Sequence, residues 1–218
     1  MTKSRSPVIR LVLCLTLAAL MPALSGCFPV AVVGIGAGAL MVADRRISET
    51  YLADEAIEVR AGNRLDEMFG SATHINVTSF NRTVLLTGEC LSEDAKAQAE
   101  RIVAGVPNVK AVRNHLLIGG ASTLAGRSND AFITSKVKAR FVDYHYFAAN
   151  HVKVVTEWGT VFLLGLVTQK EADAAVDIAR TTGGVLKVVR LFEIISQEEA
   201  DRLDVSASSS SSPSPRAN

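Results

Sequence analysis

Cysteine is scarce, with three in 218 residues, and proline is limited to six. Those absences exclude a disulfide-stapled scaffold and a collagen-like or proline-rich chain. Charge of one sign is also missing: 23 Lys and Arg face 22 Asp and Glu, a formal net of +1. A surface-wide polycation that grips nucleic acid through phosphates is therefore not encoded. Neither HExxH nor CxxC spacing is present, and no P-loop, nucleophile elbow or Ser/His/Asp constellation stands out. No catalytic residue or metal ligand is expected. His74 and His151 fall at equivalent strand starts and read as structural rather than metal-binding. What is abundant is apolar side chain, 48% of residues against 21% charged, enough for a packed core.

Part of that apolar content lies at the front. Lys3, Arg5 and Arg10 precede the run Leu11 to Leu20, then Met21, Pro22, Ala23, Leu24, Ser25, Gly26 and Cys27. A basic region, a short apolar run and small residues before a cut site describe a secretory signal over residues 1–26. The tetrad Leu24-Ser25-Gly26-Cys27 resembles the bacterial lipobox. That resemblance implies cleavage before Cys27, with a diacylglyceryl thioether and an N-acyl chain such as palmitate as the only covalent groups. Several acyl chains on one residue give lasting attachment where one chain does not. Phe28 stands where an aspartate would retain the lipoprotein in the inner membrane of enteric bacteria, which points to the outer membrane. Losing residues 1–26 removes three basic residues and no acidic one, so the remaining chain carries a net −2. Cys90 is then left without a disulfide partner and reads as a buried apolar thiol. Residues 27–47 form a lipidated cysteine and a Gly-rich apolar spacer, too short for a comfortable bilayer span. Membrane insertion of residues 28–43 stays open. At the other end, residues 197–218 read as a Ser/Pro-rich disordered tail.

Between these ends the chain repeats itself. Thr83-Val84-Leu85-Leu86-Thr87-Gly88 matches Thr160-Val161-Phe162-Leu163-Leu164-Gly165 at an offset of 77. The same offset pairs His74 with His151 and Lys110-Ala111-Val112-Arg113 with Lys187-Val188-Val189-Arg190. Upstream the offset is 76, aligning Asp54, Ile57, Ala61 and Leu65 with Asp130, Ile133, Val137 and Phe141. Each copy predicts a helix (54–69, 129–145), a hairpin (74–80 with 83–90, 151–157 with 160–167), a second helix (92–105, 169–182) and a last strand (109–118, 185–195). The fold class is α+β: two tandem domains over 48–119 and 120–196, each with two helices on one face of a small mixed three-stranded sheet.

Val84-x-Leu86-x-Gly88 and Val161-x-Leu163-x-Gly165, inside this order of elements, resemble the BON-domain family. Lipobox, copy number and spacing together are similar to its dual-domain outer-membrane lipoproteins, over roughly residues 24–195. The resemblance implies non-catalytic periplasmic modules that bind anionic phospholipid through the second copy and support outer-membrane integrity, with the β-barrel assembly machinery as a candidate neighbour. It implies no nucleic-acid partner. The alternative it leaves open is a periplasmic chaperone or adaptor for outer-membrane proteins.

The residues of the second copy agree with a lipid reader. Residues 54–69 sum to −3, whereas 129–143 sum to +1 through Lys136, Lys138 and Arg140. Each basic residue near anionic head groups is worth about 1 kcal/mol. Ile133, Val137, Phe141 and Tyr144 form one apolar stripe assigned to the core, and Phe132 lies off it, above Lys136. Asn129, Phe132, Ile133, Lys136, Val137, Lys138 and Arg140 make up the expected phospholipid-binding segment. Phe132 at a helix start, with unpaired N–H groups behind it, would suit the acyl–phosphate boundary; the competing role is packing against the other copy. Phe162, Leu164 and Leu166 make the strand apolar on its second face too, so that face packs against the first copy or a partner. Trp158, at a hairpin tip, joins that surface as an exposed aromatic.

Overall fold

The computed structural model describes residues 44–46, 48–70, 73–144 and 147–209. The signal, Cys27, the spacer up to residue 43, His145 and the end of the tail lie outside the described residues. Among the described residues no helix is long and apolar enough to cross a membrane.

The first module runs α1 (Ser48–Phe69), β1 (His74–Phe80), β2 (Thr83–Cys90), α2 (Glu93–Ala104), β3 (Ala111–Asn114) and β4 (Leu117–Ile118). The second runs α3 (Leu124–Asp143), a 3-10 turn (Ala149–His151), β5 (Val152–Glu157), β6 (Thr160–Val167), α4 (Gln169–Arg180) and β7 (Lys187–Ile194). In each, a hairpin is antiparallel and the last strand returns parallel to the middle one, β1-β2-β3 and β5-β6-β7. The parallel return requires a crossover, which α2 and α4 provide. Ser92 caps α2 by accepting from Ala95 N at 3.1 Å. Thr168 and Glu171 form a reciprocal capping box at α4. The last strand of the first module is interrupted, so β4 adds a short fourth strand to that sheet.

The shared motif has a mechanical meaning. Val84 and Leu86, like Val161 and Leu163, are sealed beneath the helices of their own module. A Cβ on Gly88 would lie 1.9 Å from the His74 carbonyl oxygen, and one on Gly165 would lie 2.4 Å from that of His151. The glycine is required because the partner strand passes too close for any side chain.

Both hairpins turn through two residues of positive φ, Asn81-Arg82 and Trp158-Gly159. In both, a buried aspartate of the preceding helix holds the turn. Asp54 accepts from Asn81 N and Arg82 N, each at 2.8 Å. Asp130 accepts from Trp158 N and Gly159 N, each at 2.9 Å. Strained backbone at non-glycine positions persists only when its surroundings over-determine it, and these carboxylates do so.

The helix-free faces of the two sheets meet. Phe162, Leu164 and Leu166 cluster with Phe80 and Leu85 of the first module, and the His115 ring meets Phe162 edge-on at 5.0 Å. Lys153 Nζ donates to Glu58 at 2.8 Å and Asn81 Nδ2 to Glu193 at 2.6 Å, so polar contacts surround the apolar centre.

The expected tail is corrected over its first part: Gln197–Ser209 is a helix, α5. Ala200 is fully buried and Leu203 packs on the inter-module cluster, a 3-residue spacing that turns one side of the helix inward. Asp204 accepts from Arg45 Nε at 2.8 Å. Arg45 also donates to Glu171 and to the Leu166 carbonyl in the second module. The next residue, Arg46, donates to Asp54 and lies over the Phe80 ring at 4.3 Å in the first. Adjacent arginines thus clasp both modules at once.

Burial by itself would raise the Glu171 carboxyl, but His151, the Arg45 guanidinium and the Thr168 N–H hold it well below the usual carboxylate range. A depressed carboxylate stabilises the fold above its unfolded pKa of about 4.3, and that contribution drains away as pH falls below it. Arg45→Met should therefore be less stable than wild type at neutral pH, with the gap narrowing below about pH 4 in urea titrations. Asp54→Ala should lower the unfolding free energy by about 2–4 kcal/mol, read from urea midpoints, because Asn81 N, Arg82 N and Arg46 all lose their acceptor. An effect below about 0.5 kcal/mol would mean the turn holds itself.

Candidate lipid-facing surface of the second module

Helix α3 begins earlier than expected. Thr123 caps it, its Oγ1 accepting from Gly126 N at 3.1 Å, and five further residues join before Asn129. Phe132 therefore sits in the third turn, not at the helix start. Unpaired N–H groups do not lie behind it, so no helix terminus offers donors to an anion there.

The inward side of α3 carries Asp130, Ile133, Val137 and Phe141. Ile133 and Val137 are sealed in the core, so they are corrected from lipid contacts to packing residues. Tyr144 is corrected in the opposite sense: it follows the last helical residue and is 38% exposed.

The outward residues divide by what they touch. Phe132 is 62% exposed, with the Lys136 ammonium 4.7 Å from its ring centre. Lys136 also donates to the Gly183 carbonyl. Arg140 turns away and donates to the Ile178 carbonyl and Thr182 Oγ1, each at 2.8 Å, holding the end of α4. Lys138 and Asn129 are exposed. Loss of part of its hydration to the surrounding protein and the Lys153 charge together hold the Lys138 ammonium below its ordinary pKa.

One apolar residue here was not foreseen. Leu186 is 82% exposed, because β7 starts at Lys187 and leaves Leu186 at the tip of the preceding loop. Its N–H donates to the Gly159 carbonyl at 2.8 Å, and the same loop carries the Gly183 carbonyl that Lys136 reaches. Phe132, Lys136, Leu186 and the Trp158-Gly159 turn thus share one end of the module. The signal in the sequence was Thr182-Gly183-Gly184, a loop where a strand was extended too early.

The other expected surface is occupied. Phe162, Leu164 and Leu166 are covered by the first module, and none is more than 8% exposed. Trp158 is 50% exposed, yet its Nε1 donates to Glu89 of the first module.

A constellation reminiscent of a hydrolase is not one. Ser122 Oγ and Glu89 Oε2 lie 3.3 and 3.1 Å from His74, but both face Nδ1. A relay needs the hydroxyl and the acid on opposite ring nitrogens. Cys90 is buried, and burial raises its thiol pKa, which keeps it inert.

Two helices over each mixed sheet, repeated and closed face to face, define the class. The BON domain family matches residues 53–120 and 129–196, and the chain belongs to it. It is 39% identical over 176 residues to "Outer membrane lipoprotein DolP" of Haemophilus influenzae, covering 79% of this chain and 90% of that protein. It is 32% identical over 154 residues to the "21 kDa hemolysin" of Actinobacillus pleuropneumoniae, covering 70% and 79%. It is 30% identical over 142 residues to "Osmotically-inducible protein Y" of Escherichia coli, covering 63% and 71%.

Because Arg140 holds the end of α4, Arg140→Met should cost about 1–3 kcal/mol in chemical denaturation. Lys138→Met should stay within about 0.5 kcal/mol.

Proposed function

We propose that this chain is an outer-membrane lipoprotein, anchored through Cys27 on the periplasmic side, whose second BON module binds anionic phospholipid and supports outer-membrane integrity. The observation that carries the reading is the exposed Phe132 ring with the Lys136 ammonium over it, beside the exposed Leu186. An apolar wedge that enters the acyl region and a cation that meets phosphate are the two parts an interfacial contact needs. The lipobox at Leu24–Cys27 and the relative bearing the name of an outer-membrane lipoprotein support the location. The role belongs to α3 and the 183–186 loop, with Ile133 and Val137 setting the angle from which Phe132 projects.

The test is co-sedimentation of residues 44–209 with vesicles containing or lacking phosphatidylglycerol. Wild type should bind only the anionic vesicles. Phe132→Ala should weaken binding about tenfold or more, since withdrawing a large apolar side chain from lipid costs about 1.5–3 kcal/mol. Lys136→Glu should weaken it about fivefold or more. Binding indifferent to both substitutions, or absent from anionic vesicles, would overturn the reading and direct attention to a protein partner.

A further inference from the structure

A second cluster of functional side chains lies where the modules meet. His74 opens β1, Glu89 lies opposite it near the end of β2, and Glu157 ends β5 of the other module. One ligating atom from each lies within 4.8 Å of the other two. Glu89 and Glu157 are only 1% and 6% exposed. Asp130, 8% exposed, lines the same cleft of about 350 Å³ together with His74, Asn76 and Glu157. Two buried carboxylates thus flank one imidazole, and Asp130 and the exposed Arg127 line the cleft beside them. Both oxygens of Asp130 are already engaged by the Trp158-Gly159 turn. Burying like charges together without a compensating cation is expensive.

A separate observation points the same way. Thr87 is 1% exposed and its hydroxyl has no hydrogen-bond partner. Thr87 pairs with Asn76 and stands between Leu85 and Glu89 on the strand face turned to the second module. Asn76 opposite it holds Glu157 through Nδ2 at 2.9 Å. A buried hydroxyl without a partner, on the same strand face as Glu89, marks room for a group that the protein itself does not supply.

We propose that His74, Glu89 and Glu157 form a divalent transition-metal site of the zinc class that bridges the two BON modules. One imidazole nitrogen and two carboxylate oxygens, with water in the fourth position, suit Zn2+ rather than the all-oxygen shells of Mg2+ or Ca2+. Tetrahedral ligands at about 2.1 Å are about 3.4 Å apart; His74 Nδ1 and Glu89 Oε2, at 3.1 Å, are near that spacing. The outer partners are in place as well: Ser122 N and Trp158 Nε1 donate to the two oxygens of Glu89, and Asn76 to Glu157, orienting each carboxylate. Because Glu157 arrives from the second module, no spacing in the sequence reveals the site. A bound cation would fix the angle between the modules, and so the direction in which Phe132 points.

Calorimetric titration of the metal-stripped full chain in detergent with ZnCl2 tests the site. One Zn2+ per chain should bind, Mg2+ and Ca2+ should not, and unfolding should shift up by several degrees in Zn2+ and back on adding EDTA. Glu157→Gln keeps the bond from Asn76 and should weaken Zn2+ binding at least tenfold. His74→Gln should do the same, and remains decisive if the first variant misfolds. His115→Gln and His151→Gln should leave the affinity unchanged. Absence of one-to-one binding, affinity unaltered by both Glu157→Gln and His74→Gln, or an equal response to Mg2+ would each overturn the proposal.

Discussion

The fold depends on a carboxylate that reaches from a helix to a hairpin turn. Asp54 and Asp130 are buried, and each accepts both N–H groups of a turn that holds one residue, Arg82 or Trp158, at a positive φ its side chain disfavours. That contact fixes the helix against the hairpin, and so decides which strand face the helices cover. The glycine on each middle strand completes the constraint by letting the partner strand approach. Once helices cover Val161, Leu163 and Val167, the alternate residues Phe162, Leu164 and Leu166 must find other cover. The first module supplies it. Two modules too small to bury much alone share a third apolar cluster between their sheets.

This closure determines which surfaces remain for work. With the back of the second sheet covered, the apolar side chains left outside at one end of that module are Phe132, Leu186 and, in part, Trp158. Of the three cations on α3 that the charge count placed together, Arg140 holds a helix end and Lys136 alone stands at the aromatic ring. A charge sum along a helix counts residues; it does not say which way they turn.

How far the sequence could be read follows from the range of the forces involved. Element order, duplication and the stripe of Ile133, Val137 and Phe141 come from local periodicity, and all are present in the fold. The misread positions depend on partners remote in the chain or on ambiguous caps. The helix was expected from residue 129, but Thr123 caps α3 and the helix starts at Leu124. Serine content masked α5, where Ala200 and Leu203 nonetheless turn inward. Arg45 read as spacer because its partners lie 121, 126 and 159 residues away. Leu186 was placed in a strand because valine and leucine favour one, yet the Gly183-Gly184 loop ends only after it.

The paired arginines also decide how the molecule bears load. Pulling on the chain ahead of Asp44 does not peel α1 from its N-terminal turn, because Arg45 and Arg46 intervene. Arg45 transmits the pull to Glu171, the end of β6 and α5, while Arg46 transmits it to Asp54 and Phe80. The strain is divided between both modules at one point, so they yield together rather than in succession. Under a pull applied ahead of Asp44, such a joint behaves as a yoke that loads the two modules side by side rather than in series.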